Sequence, residues 1–134
     1  MANHYFDYIR IHVSQIGGIT PAMKVARLGE WFNVRTAWHG PGDVSPVGHA
    51  ANIHMDFALW NFGIQEVFET FGTADSDVLR EVFPGMPILK NGYLYLNEAP
   101  GLGVELNEKL AAKYPITGGA RNVVRKRDGT AIRP

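Results

Sequence analysis

The sequence contains no cysteine, and this absence excludes disulfide scaffolds, thiolate zinc sites and cysteine nucleophiles. It also lacks an excess of charge of either sign, because 13 Lys and Arg balance 13 Asp and Glu. Nucleic acids and anionic membranes are recognised first through a dense positive field. Neither is therefore an expected partner, and the composition favours a small ligand or another protein.

Long apolar runs are missing as well. No stretch approaches the about 20 residues of a membrane-spanning helix, and the start of the chain has neither the basic nor the apolar region of a signal peptide. We therefore expect a soluble, cytoplasmic protein. Its 134 residues suffice for one domain with a core, but a complete (β/α)8 barrel needs about 250.

The first 70 residues instead carry a repeated pattern of strands and helices. Alternating or short apolar segments predict strands at 6–13, 34–38 and 62–67. Two helices are predicted to open at Thr20-Pro21 and Ser45-Pro46, where a capping side chain precedes a proline. The order strand, helix, strand, helix, strand is typical of consecutive βαβ units, and so it predicts an α/β fold with a parallel sheet.

Both predicted helices carry an apolar stripe at helical spacing. The stripes consist of Ala22, Val25, Ala26, Gly29 and Phe32 in the first helix, and of Val47, Ala50, Ala51, His54 and Ala58 in the second. His49 and His54 could suggest a metal site. Five residues correspond to about 140° of rotation, however, so the spacing favours one exposed and one packed histidine.

The pattern changes after residue 70. Prolines and glycines predict an irregular segment over 70–87, and Asn91-Gly92 between two apolar segments predicts a β-hairpin. Asn107 is expected to cap a short helix that extends to Tyr114. The basic tail from 118 to 134 is expected to be extended or to wrap the domain, since it lacks the interleaved aromatics of a nucleic-acid site.

Polar residues follow the predicted parallel strands at the ends where ligands bind in such sheets. They are Arg10 and His12 on the first strand, His39 and Asp43 after the second, and Glu66 at the end of the third. This set suits a hydroxylated carboxylic acid, because Arg binds carboxylates and His, Asp and Glu bind hydroxyls or transfer protons. The alternative is structural, with Arg10 and Glu66 as a buried ion pair and His39 as an ordinary loop residue.

Four segments together carry a family resemblance. They are Tyr8–Thr20, Trp38–Pro46, Asn61–Glu66 and Gly92–Val104. In this order they resemble the C-terminal third of the enolase superfamily, and most closely its mannonate dehydratase group. The resemblance covers nearly the whole chain.

The resemblance implies that the chain is the C-terminal part of a (β/α)7β barrel with a capping domain. Residues 1–70 would form the last three strands and their helices, and residues 71–134 would contribute to the capping domain. The family chemistry is removal of the proton alpha to a carboxylate and loss of the 3-hydroxyl, which gives a 2-keto-3-deoxy sugar acid. A Mg²⁺ ion stabilises the enediolate intermediate.

When the family's substrate-binding positions are carried over one by one, the resemblance implies that substrate is bound by Arg10, His39, Asp43 and Glu66. In racemase-like relatives, the histidine that matches His39 pairs with an Asp. The resemblance places His12 at the position of this Asp, so His39 is expected to contact substrate rather than to act as a base. The family's metal ligands and acid–base residues lie in sequence that would precede Met1. We therefore expect this chain alone to hold no Mg²⁺ and to be inactive.

Two functions from different classes follow. The first is the C-terminal portion of an acid-sugar dehydratase that acts on mannonate or gluconate. The second is a non-catalytic ligand-binding or structural protein of the same fold. Because an exposed parallel edge promotes association, a homo-oligomer is expected in either case.

Overall fold

The structure is a computed structural model that describes residues 1–68, 76–115 and 126–128. Its elements are β1 (Tyr8–Ile9), α1 (Val13–Ile16), α2 (Ile19–Trp31), β2 (Arg35–Thr36), α3 (Pro46–Phe57), α4 (Ser76–Val82), β3 (Ile88–Lys90), β4 (Tyr93–Tyr95) and α5 (Glu108–Ala111). No helix in the described part of the chain has the length and apolar character that a bilayer crossing requires.

A small parallel layer lies at the centre of the first half. β1 pairs with β2 in parallel, and Phe62 forms a parallel bridge to Thr36 on the other side of β2. The predicted parallel arrangement is therefore confirmed, but the regular strands are shorter than predicted. The third segment forms only this bridge in the described residues, because Gly63 and Ile64 both donate to the Thr36 carbonyl, at 3.1 and 3.2 Å.

Helix α2 covers one face of this layer. It buries Ala22, Ala26 and Gly29, all from the predicted apolar stripe. Gly29 has to be small, because a Cβ there would lie 2.6 Å from Ile9 Cδ1. The predicted cap at Thr20 is wrong, since Gly18 is the N-cap and the helix already begins at Ile19.

Helix α3 begins as predicted but turns a different face inward. The Ser45 hydroxyl accepts a hydrogen bond from the Gly48 backbone N–H at 3.3 Å and caps the helix. Of the predicted stripe only Ala50 is fully buried, and Ala58 is exposed. The seven buried residues include three polar ones, His49, Asn52 and Asp56. Apolar periodicity missed this face because these polar residues interrupt it.

The second half contains the predicted hairpin, in which β3 and β4 pair antiparallel. Asn91 and Gly92 both have positive φ, 53° and 78°, as the tight turn requires. The segment expected to be irregular contains α4, whereas α5 starts after Asn107 as predicted, with its side chain accepting from Leu110 N–H at 3.1 Å.

The two predicted domains meet at a point outside the described residues, which resume at 76. Residues beyond this gap bond among themselves, since Glu105 N–H donates to the Pro84 carbonyl at 2.9 Å and Asn107 N–H to the Val82 carbonyl at 2.8 Å. The division at residue 70 stays a prediction. Most of the basic tail also lies outside the described residues.

Candidate functional site

Arg10 and Glu66 come together at the carboxyl ends of the parallel segments. Arg10 follows β1, and its Nη2 donates to both carboxylate oxygens of Glu66, at 2.8 and 2.9 Å. The two side chains are 55% and 41% exposed, so the ion pair that the structural alternative predicts does form, but it is not buried. An exposed pair of this kind adds little to stability, and it can exchange contacts with a ligand.

Glu66 is held by backbone as well as by side chains. Its Oε2 accepts a hydrogen bond from the Gly40 N–H at 3.0 Å and lies 3.8 Å from His39 Nε2. The Gly40 hydrogen bond and the bond and charge of Arg10 lower the pKa of Glu66, which keeps it ionised at neutral pH. A Cβ at Gly40 would collide with the Glu66 backbone carbonyl, so this approach requires glycine.

His12 connects the remaining predicted site residues. Its ring packs edge-to-face on His39 with 5.3 Å between centroids, and its Nε2 lies 3.9 Å from Asp43 Oδ1. The Ser14 hydroxyl contacts His12 Nδ1 at 3.0 Å. The structure thus brings Arg10, His12, His39, Asp43 and Glu66 into one row of neighbouring groups.

Sequence reasoning missed two members of this arrangement. Gly40 lies in the loop after the second predicted strand, and only the tertiary contact shows that its N–H binds Glu66. Ser14 gave no signal, because its hydroxyl is significant only beside the ring of His12.

The described residues do not fit a metal centre. Within 1–68, 76–115 and 126–128, no group of three or more His, Asp or Glu side chains converges in a way that could hold an ion. The site's own groups are one cation, two carboxylates and two imidazoles. These can bind and orient a hydroxylated acid, and a metal-dependent step cannot be traced through them.

Two titratable groups are buried behind the site on α3. Burial lowers the pKa of His49 and raises the pKa of Asp56 to about 8. The indole N–H of Trp38 lies near the Asp56 carboxyl and favours its charged form, although neither group forms a hydrogen bond of good geometry within the described residues. Of the two histidines considered for a metal site, His49 is thus the packed one, whereas His54 is only partly buried.

Together these features define a β/α fold with a row of charged and imidazole side chains at the carboxyl ends of its parallel strands, where ligands bind in such folds. The family model for the Enolase C-terminal domain-like family matches residues 1–110. The chain therefore belongs to this family, as the resemblance predicted.

Relatives and solved structures agree with this assignment. A D-galactonate dehydratase family member from Musicola paradisiaca is 57% identical over 134 residues, which are 98% of this chain and 31% of the relative. An enolase from Pantoea ananatis, solved with bound D-gluconate and magnesium, superposes with a TM-score of 0.80 at 52% identity over 99% of this chain. A mandelate racemase/muconate lactonizing enzyme from Jannaschia sp. CCS1 gives a TM-score of 0.71 at 29% identity over 88% of this chain and 28% of that chain.

The chain spans only about a third of these proteins, since it covers 31% of the Musicola relative and 31% of the Pantoea enolase. This confirms the predicted fold class, an α/β chain equivalent to the C-terminal part of a larger barrel enzyme.

Proposed function

We propose that the chain forms the substrate-binding C-terminal portion of a magnesium-dependent acid-sugar dehydratase that resembles mannonate dehydratase. Such an enzyme removes the proton alpha to the carboxylate and expels the 3-hydroxyl to give a 2-keto-3-deoxy sugar acid. The names of the relatives support a dehydratase, and the Pantoea enolase contains D-gluconate and magnesium. D-Mannonate and D-gluconate are the proposed substrates.

The observation that carries the proposal is the contact of Arg10, His39 and Glu66 at one end of the parallel layer. Arg10 uses Nη2 for both bonds to Glu66, so within the described residues its other guanidinium N–H groups remain available to an acid. Ionised Glu66 accepts hydrogen bonds from hydroxyls, and His39 lies beside it. These residues bind and orient the sugar acid, and Asp43 extends the set.

Magnesium would neutralise the carboxylate and the developing enediolate when bound. Since the described residues of this chain contain no fitting ligand set, the ligands and the base have to come from other parts of the enzyme. For the chain by itself, the same observation favours the second candidate function, which is binding of a sugar acid without turnover.

A chimaera tests the proposal. The C-terminal third of the Pantoea enolase is replaced by this chain, and formation of 2-keto-3-deoxy acid from D-mannonate and D-gluconate is followed with added Mg²⁺. We expect turnover of at least one acid. In this chimaera Arg10→Met should lower kcat/KM about ten- to hundred-fold, because a hydrogen bond to a charged group contributes about 1.5–3 kcal/mol.

The matched control is Arg27→Met. Arg27 also forms an ion pair, with Glu30 at 2.7 Å, but it lies on α2 outside the site, and its replacement should change kcat/KM less than two-fold. A folded, magnesium-binding chimaera that dehydrates neither acid would refute the proposal. Full activity of the Arg10→Met chimaera would remove Arg10 from the site.

A further inference from the structure

A cavity opens beside His39 and Asp43, between the first turns of α2 and α3. Its volume is about 400 Å³. Apolar walls come from Val13, Ile19 and Val44, and polar groups come from His12, Ser14 and Asn52. Arg10 and Glu66 do not line it, so the cavity extends away from the ion pair.

Asn52 is the unusual residue of this cavity. It is only 2% exposed, and its side-chain amide forms no hydrogen bond with the described part of the chain. The Asn61 amide nitrogen, by contrast, donates to the carbonyls of Ala26 and Val34 at 3.0 and 2.8 Å, although its Oδ1 has no partner within the described residues. The Asn52 amide thus lines the cavity with its donors and its acceptor unused by the described residues, as expected of a residue that binds a ligand.

The chemistry of the wall selects the ligand class. The Asn52 amide offers both donors and an acceptor, and the Asp43 carboxylate in the same wall accepts hydrogen bonds only. An anion would be repelled by Asp43, whereas a hydroxyl group can donate to Asp43 and also accept from Asn52. Apolar residues such as Val13 and Val44 suit the C–H faces of a polyol.

We propose that this cavity is a subsite for the neutral hydroxylated chain of a sugar acid, with Asn52 as the residue that hydrogen-bonds it. The assignment of the polyol to a sugar acid rests on the proposed function, because His39 and Asp43 border both the cavity and the Arg10–Glu66 pair. Binding of a polyol to the cavity is a separate, measurable property of this chain.

The first experiment follows side-chain amide signals of the uniformly ¹⁵N-labelled chain by NMR. D-Glucitol carries the hydroxyl chain without a carboxylate, and acetate carries the carboxylate without the chain. We expect D-glucitol to shift the Asn52 amide signals, to leave those of Asn61 unchanged, and acetate to leave both unchanged. An Asn52 response to acetate alone, or no response to D-glucitol, would overturn the proposal.

The second experiment compares two substitutions of the same type. Asn52→Leu removes the amide at similar side-chain volume, so it should weaken D-glucitol binding at least ten-fold. Asn61→Leu, which breaks two hydrogen bonds outside the cavity, should lower Tm and leave the affinity of the folded protein unchanged. Unchanged D-glucitol binding by Asn52→Leu would refute the assignment.

A third pair of variants keeps the test decisive if Asn52→Leu does not fold. Ala51→Met fills the cavity from its wall and should abolish D-glucitol binding, whereas Ala58→Met, at the exposed end of the same helix, should not. Equal binding by both variants would overturn the subsite.

The two proposals can fail separately. An inactive chimaera with intact D-glucitol binding would refute the dehydratase proposal alone. An active chimaera whose Asn52→Leu variant keeps its KM would refute the subsite alone.

Discussion

At the scale of the residue, Asp56 is an acid that the fold buries on α3. It is 9% exposed, and burial raises its pKa to about 8. In the unfolded chain an aspartate titrates near 3.9. Between these two values the folded protein binds a proton that the unfolded chain has lost, so the free energy of unfolding must fall as pH rises from about 4 to about 8.

We therefore predict that Asp56→Asn removes this pH dependence. The wild-type chain should lose roughly 3 kcal/mol of unfolding free energy between pH 5 and pH 8, since each pKa unit corresponds to about 1.4 kcal/mol. The variant should lack this fall and should instead gain some stability as pH rises to about 6.5, because burial also lowers the pKa of His49. Urea unfolding at several pH values measures both, with the exposed Asp7→Asn as control. An unchanged slope in Asp56→Asn would contradict the buried, protonated state.

At the scale of the element, two helix starts look alike in the sequence and differ in the fold. Ser45-Pro46 and Thr20-Pro21 are both a hydroxyl residue followed by proline. Ser45 caps α3, whereas Thr20 lies inside the first turn of α2 because the chain enters that helix from Gly18, with φ 103°. The sequence motif identified both helices, but the local backbone decided which hydroxyl became a cap.

The prediction at this scale follows from that difference. Ser45→Ala should lower the free energy of unfolding by about 1 kcal/mol, because it removes the hydrogen bond to the Gly48 N–H. Thr20→Ala is the matched control and should stay within about 0.5 kcal/mol of wild type. Urea or thermal unfolding of the two variants provides the comparison. Equal destabilisation by both would show that Thr20 has a capping role.

Other elements were predictable because their signals are local. Asn91-Gly92 fixed the hairpin, since both residues adopt positive φ at low cost, and Asn107 fixed the start of α5. The inward face of α3 was not predictable in this way. Its buried His49, Asn52 and Asp56 are polar, and their burial depends on what packs against them.

At the scale of the whole molecule, the parallel layer ends in apolar surface. Beyond the bridge at Phe62, the outer segment exposes Ile64 to 62%, and Trp60 beside it is 93% exposed. Exposed strand edges and large apolar patches promote association. We expect the chain to self-associate, or to dock on further strands of the same kind of barrel.

Ile64→Lys should therefore weaken self-association. A charge on the edge opposes pairing with another chain, so the variant should shift the sedimentation profile toward monomer at equal concentration. Leu28→Lys is the control, since Leu28 is 53% exposed but lies on α2 away from the edge. A wild-type chain that sediments as a monomer at all concentrations would contradict the expectation.

The sequence by itself determined the family, the parallel arrangement and the two long helices of the first half, and the residues Arg10, His39, Asp43 and Glu66 as candidates. These follow from local patterns and from motifs that stand in order along the chain. Only the tertiary structure decided that Gly40 N–H binds Glu66, that His12 links His39 to Asp43, and that Asn52 lies buried beside a cavity. Each of these depends on groups far apart in sequence, or on which face a helix turns inward, and local patterns do not specify either.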